Sequence, residues 1–167
     1  MATKTTFTPE EWELLMQGVM SSSVAVTAAD PSGLWGLMKE SFASAKSMAE
    51  AKANPQSGEL IKALVADFEN ADTRARLRAA MKKRFEGAAA SADVKTKSIE
   101  ALKEASSLLD AKAPAEAASV KTWMRHIGQS VAEAAPEGGM FGFGGVQVSE
   151  SEKATLAELS KALKLPA

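Results

Sequence analysis

Residues 8–26 run Thr8-Pro9-Glu10-Glu11-Trp12-Glu13-Leu14-Leu15-Met16-Gln17-Gly18-Val19-Met20-Ser21-Ser22-Ser23-Val24-Ala25-Val26, and this stretch decides the fold class. Trp12, Leu15, Met16, Val19, Ser23 and Val26 follow one another in steps of three and four, so one face of a helix carries nearly all the bulk. Its start is specified as well. Thr8 caps, Pro9 takes the first helical position where its missing N–H costs nothing, and Glu11 completes a capping box.

The same grammar repeats outward from that helix. Asp30-Pro31-Ser32-Gly33 opens a second helix with the stripe Leu34, Leu37, Met38, Phe42 and Ala45. Asn54-Pro55-Gln56-Ser57-Gly58 breaks the chain before Leu60, Ile61, Leu64, Val65 and Phe68, a third stripe. After a short break at Asn70 to Thr73, Leu77, Met81 and Phe85 form a narrow stripe on a basic helix that ends at Gly87 and docks on one side only. Ser91 or Asp93 caps a fifth helix carrying Ile99, Leu102, Leu108 and Leu109, whose apolar face is less regular. Pro114 opens a sixth with Val120, Trp123, Met124, Ile127 and Val131, and Pro136 with Gly138 and Gly139 ends it. Ser149-Glu150-Ser151-Glu152 is a second capping box, opening a last helix with Leu156, Leu159 and Leu163. The expectation is an all-α, single-domain bundle of about seven helices over residues 1–167. Residues 1–7 form a flexible terminus, residues 136–148 form a structured Gly-rich loop, and Trp12, Val19, Leu37, Phe42, Leu64, Ile127 and Leu156 lie in the core.

Composition agrees and removes several chemistries. A chain of 167 residues with 46% hydrophobic and 25% charged residues suits one soluble domain, and a net charge of -1 gives no global field to steer polyanions. Nucleic acid is therefore not favoured as a partner. Cysteine is absent and histidine occurs once, at His126, which excludes disulfides, thiolate sites and di-iron centres built on paired Glu-x-x-His motifs within this chain. No run approaches the roughly 20 apolar residues of a membrane-spanning helix, and Met1 to Thr8 lacks a signal-peptide apolar core, so the expected location is the cytoplasm.

Four features invite a functional interpretation. The segment Gly138-Gly139-Met140-Phe141-Gly142-Phe143-Gly144-Gly145-Val146 is too apolar for a solvated linker; Phe141 and Phe143 either plug the end of the bundle or form a contact surface. It has no phosphate-loop motif, and no other cofactor motif occurs in the chain. The basic run Arg74, Arg76, Arg78, Lys82, Lys83 and Arg84 scatters around its helix and is partly offset by Asp67, Glu69 and Asp72. A solvated face competes there with an interaction surface whose candidates are Arg74, Arg78 and Lys82. His126 falls on the boundary of its apolar stripe, and Ser21-Ser22-Ser23 lacks a nucleophile-elbow pattern and reads as helix surface with small packing contacts, so no catalytic set is present. Methionines on the apolar stripes, with Trp12, Trp35 and Trp123, fit either a filled core or a cavity for an apolar ligand.

The turn Ala28-Ala29-Asp30-Pro31-Ser32-Gly33, together with Val146-Gln147-Val148-Ser149-Glu150-Ser151-Glu152 and the following Leu156, Leu159 and Leu163, resembles the tellurite-resistance TerB-like helical family. It departs from the family pattern where Pro31 stands in place of Gly. The Gly/Phe-rich loop is also similar to that of bacterial helical proteins of unassigned function. The resemblance implies an all-helical interaction protein or a metal-associated stress role, and nominates Asp30, Glu150 and Glu152 for a divalent cation. Capping explains the same three acids. The function expected is a non-enzymatic helical interaction or scaffold module that binds a protein partner or a second copy of itself. The alternatives are a small-molecule carrier with an apolar cavity and a weak divalent-cation binder.

Overall fold

The computed structural model describes residues 2–29, 45–134 and 148–166. Among them are seven α-helices and no strand. A short 3₁₀ turn at Lys4–Thr6 leads into α1 (Pro9–Ala29). Residues 45–53 are helical (α2), followed by α3 (Glu59–Glu69), α4 (Ala71–Arg84), α5 (Ser91–Lys112), α6 (Pro114–Ala134) and α7 (Glu150–Ala162). No described helix is long and apolar enough to cross a membrane.

The helix starts form as the capping chemistry dictates. The Glu11 amide donates to Thr8 Oγ1 at 3.2 Å and the Thr8 amide donates to Glu11 Oε2 at 2.8 Å, a reciprocal box that satisfies two orphan groups. Phe7 and Trp12 close over it with ring centroids 5.8 Å apart, the hydrophobic staple that such a box often carries. At α7 the Ser149 amide donates to Glu152 Oε2 at 2.8 Å and the Glu152 amide donates to Ser149 Oγ at 3.2 Å. For α5 the capping side chain is Asp93, one of the two expected residues, and not Ser91. Ala90 is the cap residue, Ser91 is already helical, and Asp93 reaches back to accept from the Ala89 and Ala90 amides at 3.1 Å each.

α1 is the axis of the bundle, packed on α5, α6 and α7 and, near its start, on α4. A central helix must be buried on more than one face, and α1 buries Gln17, Gly18, Ser21, Ser22 and Ala25 as well as Trp12, Leu15, Met16, Val19 and Val26. Ser21 and Ser22 are therefore interior residues, not surface ones. Small side chains let the neighbouring backbones come close. A Cβ on Gly18 would lie 2.5 Å from Ala105 Cβ of α5, and one on Gly128 of α6 would lie 2.6 Å from Leu159 Cδ2 and 3.2 Å from the Ser22 carbonyl oxygen. α5 answers with Ser98, Ala101, Leu102, Ala105, Ser106 and Leu109, a regular buried face once serine and alanine are counted with the leucines.

Of the expected core, Trp12, Val19, Leu64, Ile127 and Leu156 are buried, whereas Leu37 and Phe42 lie outside the described residues. The amino-terminal segment departs from the expected flexible tail over residues 2–7. Ala2 and Phe7 are buried, the Ala2 amide donates to Glu116 Oε1 of α6 at 2.9 Å, and Lys4 pairs with Asp67 of α3. The reason is local: Phe7 has Trp12 to pack on, and the turn at Lys4–Thr6 brings the preceding chain back over it.

Candidate interaction surface

α4 is held by little of its surface. Only Leu77 and Met81 are buried, and they face α3 and the start of α1. At 100° per residue the remaining arc is wide, and Arg74, Arg78 and Lys82, four residues apart, share one edge of it with Ala71 and Ala75. All five are exposed. Arg84 turns inward, and of the five exposed cations that remain Arg74, Arg78 and Lys82 share this edge while Arg76 and Lys83 lie on the opposite side of the helix.

The basic residues divide into those with internal partners and those without. Arg74 Nη1 donates to the Phe68 and Glu69 carbonyl oxygens at 3.1 and 2.8 Å, closing the carboxyl end of α3 where unpaired carbonyls and the helix dipole favour a cation. Arg84 Nε donates to Gln17 Oε1 at 2.7 Å and its Nη2 pairs with Glu104 at 2.7 Å, tying α4 to α1 and α5. Arg76 Nη2 donates to Thr73 Oγ1 at 3.4 Å. The side chains of Arg78, Lys82 and Lys83 make no hydrogen bond or ion pair among the described residues. Asp67 is spent inside the fold: it takes Trp12 Nε1 at 2.7 Å and the Lys4 ammonium, so it does not offset α4.

Beside α4, a cleft of about 330 Å³ runs between the amino-terminal turn and the first turns of α1, lined by Phe7, Trp12, Met16, Arg76 and Leu77 among others. Lys4 Nζ stands 5.6 Å above the Trp12 ring, within cation–π range. Trp123 lines a different cleft with Glu50 and His126. Trp12 and Trp123 therefore share no cavity, and Trp35 lies outside the described residues.

The other sequence candidates separate. Glu152 is almost fully buried, and its carboxylate is committed to the Ser149 amide and hydroxyl. Glu150 points into solvent and pairs with Lys153 at 2.7 Å. Ser151 Oγ donates to the Ala29 carbonyl oxygen at 3.0 Å, so the end of α1 does meet the start of α7, but Asp30 itself lies outside the described residues. Among the described residues no three of His, Asp and Glu come together as a metal site would require. Phe141 and Phe143 also lie outside the described residues.

His126 is exposed on α6, with Nε2 3.8 Å from Glu50 Oε2, too long for a hydrogen bond. No local pattern pairs these two residues, since the contact spans separate helices. Neither group is buried, and no nucleophile is hydrogen-bonded to the histidine among the described residues. No protein-family model, curated protein or solved structure matches the chain.

Proposed function

We propose that this chain is a non-catalytic helical interaction module, and that the exposed face of α4 receives an acidic protein surface. The observation that carries the reading is the aligned row Arg74, Arg78 and Lys82, in which Arg78 and Lys82 have no internal partner among the described residues. Exposed cations of this kind add little to folding stability, but they raise association rates and fix register when a surface of opposite charge arrives. Ala71, Ala75 and Ala79 between them keep the face flat enough for a helix to lie against it. A nucleic acid fits less well, because the aromatic beside this face, Phe85, is packed against the core and not presented to stack a base. A scaffold or stress-related role, self-association included, would use the same face.

The test compares wild-type protein with the double variant Arg78→Glu, Lys82→Glu in chemical cross-linking and native mass spectrometry from cell extract. A discrete protein adduct, lost in the double variant and weakened by salt, supports the reading. An adduct retained equally by both proteins places the interface elsewhere. A retained small apolar ligand with no protein adduct favours the carrier alternative.

A further inference from the structure

A cleft of about 680 Å³ lies between α6 and α7, a volume within the range of small-molecule sites. Its apolar wall is made by Val148, Leu156, Ala157 and Leu165, and its polar side by Arg125, Gln129, Ser160, Lys153 and Lys161. Three cations and no carboxylate therefore line it among the described residues. Lys153 is drawn away to Glu150, and the Lys161 ammonium has no ion pair or hydrogen bond among the described residues.

Arg125 is the distinctive group. Its Nε donates to Ser160 Oγ at 2.9 Å and its Nη1 donates to Gln129 Oε1 at 3.0 Å, so two neutral acceptors fix the plane of the guanidinium. No carboxylate lies within ion-pair distance, and Nη2 has no hydrogen bond among the described residues. Partial burial pushes the Arg125 pKa down, with Glu133 opposing the shift through space. A half-buried arginine oriented by neutral groups beside an apolar wall lacks what such a group normally has, a planar anion on its open edge.

We propose that this cleft binds a single-chain carboxylate amphiphile, with the carboxylate on Arg125 and Lys161 and the alkyl chain along Val148, Leu156, Ala157 and Leu165. The shape of the charge supports that class. A cationic amphiphile would meet three like charges, a neutral one could accept from Nη2 but would bring no counter-charge to Arg125 and Lys161, and a small anion would leave the apolar wall wet. This proposal is independent of the α4 reading, since the two surfaces share no residue.

The probe is dansyl-undecanoate, followed by fluorescence enhancement with full-length protein, and laurate is the competitor. The expected result is saturable binding that laurate displaces and that acetate, dodecanol and dodecyltrimethylammonium do not. Arg125→Gln should weaken binding at least about tenfold, the usual scale for losing a charge-assisted contact. Because Arg125 also bonds Ser160, a second variant guards against a folding defect. Ala157→Glu adds a carboxylate at an exposed helical position that lines the cleft and should weaken the probe about as much, with an unchanged circular dichroism spectrum. Absence of saturable binding overturns the proposal, as does equal affinity for dodecyltrimethylammonium or full binding by both variants. Binding of an acidic amphipathic peptide without binding of the probe also overturns it, in favour of a protein ligand.

Discussion

The α1, α5, α6 and α7 body and the α3–α4 pair are two solutions to burying a helix. In the body, backbones approach over Gly18, Ser22, Ala105 and Gly128, and packing is made by contact of small groups. In the pair, α3 turns Leu60, Ile61, Leu64, Val65 and Phe68 inward, whereas α4 contributes only Leu77 and Met81 and leaves its charges outside. Each fully buried leucine or isoleucine contributes about 1.5–3 kcal/mol, so two buried side chains anchor α4 weakly compared with its neighbour. The body is specified by shape and the pair by hydrophobic mass. In the pair, most of the α4 surface stays exposed.

The largest expected effect breaks the body at its closest approach. Gly18→Ala gains about 1 kcal/mol of helix propensity but forces a methyl group against Ala105 Cβ, which cannot rotate away. Overpacking of this kind costs 1–3 kcal/mol or more, and a net loss of about 2 kcal/mol in denaturant unfolding is expected. An unchanged midpoint would show that α1 and α5 separate more easily than their geometry implies.

A smaller effect comes from charge inside the body. Lys121 is buried on α6 and pairs with Asp110 of α5, which also takes Lys164 at 2.8 Å. Asp110→Asn leaves that ammonium without its counter-charge and is expected to cost about 1–2 kcal/mol, below the full penalty of breaking a buried pair because Asp110 itself is partly exposed. Hydrogen bonds from Lys121 first and Lys164 second hold the Asp110 carboxyl below its ordinary pKa, and the Lys112 bond followed by the Thr8 amide does the same for Glu11. A carboxylate of lowered pKa stabilises the fold above its unfolded value and loses that contribution as pH falls through the folded value. Stability should therefore be level from neutrality to about pH 5 and fall below about pH 4. Thermal melts of wild type and Asp110→Asn should converge as pH drops into that window.

The smallest effects sharpen the contrast within α4. Arg74→Ala removes two bonds to the end of α3 and is expected to cost about 1 kcal/mol. Arg78→Ala and Lys82→Ala should each change stability by less than about 0.5 kcal/mol, as surface substitutions do. Equal losses at all three would mean that the row is structural, and the division between anchor and free surface would fail.

The helix starts were legible because Thr8, Pro9 and Glu11, and Ser149 with Glu152, carry cap chemistry that acts within four residues. The stripes of α3 and α6 were legible for the same reason of locality, since period counting detects large apolar groups. What it missed is the second buried face of α1. Ser21 and Ser22 look like surface by composition, and only the arrival of α6 and α7 makes them interior. The regularity of α5 was hidden likewise by Ser98, Ala101, Ala105 and Ser106. Of the candidate surface, the basic residues were visible but their division of labour was not, because Arg84 finds Glu104 and Gln17 only through tertiary contact. The α6–α7 cleft rests on Arg125 meeting Ser160 across two helices, a pairing with no local signal.

The central position of α1 also has a kinetic side. Its partners α5, α6 and α7 begin at Ser91, Pro114 and Glu150, so the first helix of the chain finds its main contacts only after about 80 to 140 further residues. Long closures of this sort slow folding, because loop entropy is lost before the contacts form. During synthesis, at about 5–20 residues per second, α1 would wait about 4 to 30 seconds before those partners are made. That interval is when the sequence is most open to aggregation or to a chaperone, and Ser151 closing on the Ala29 carbonyl marks its end.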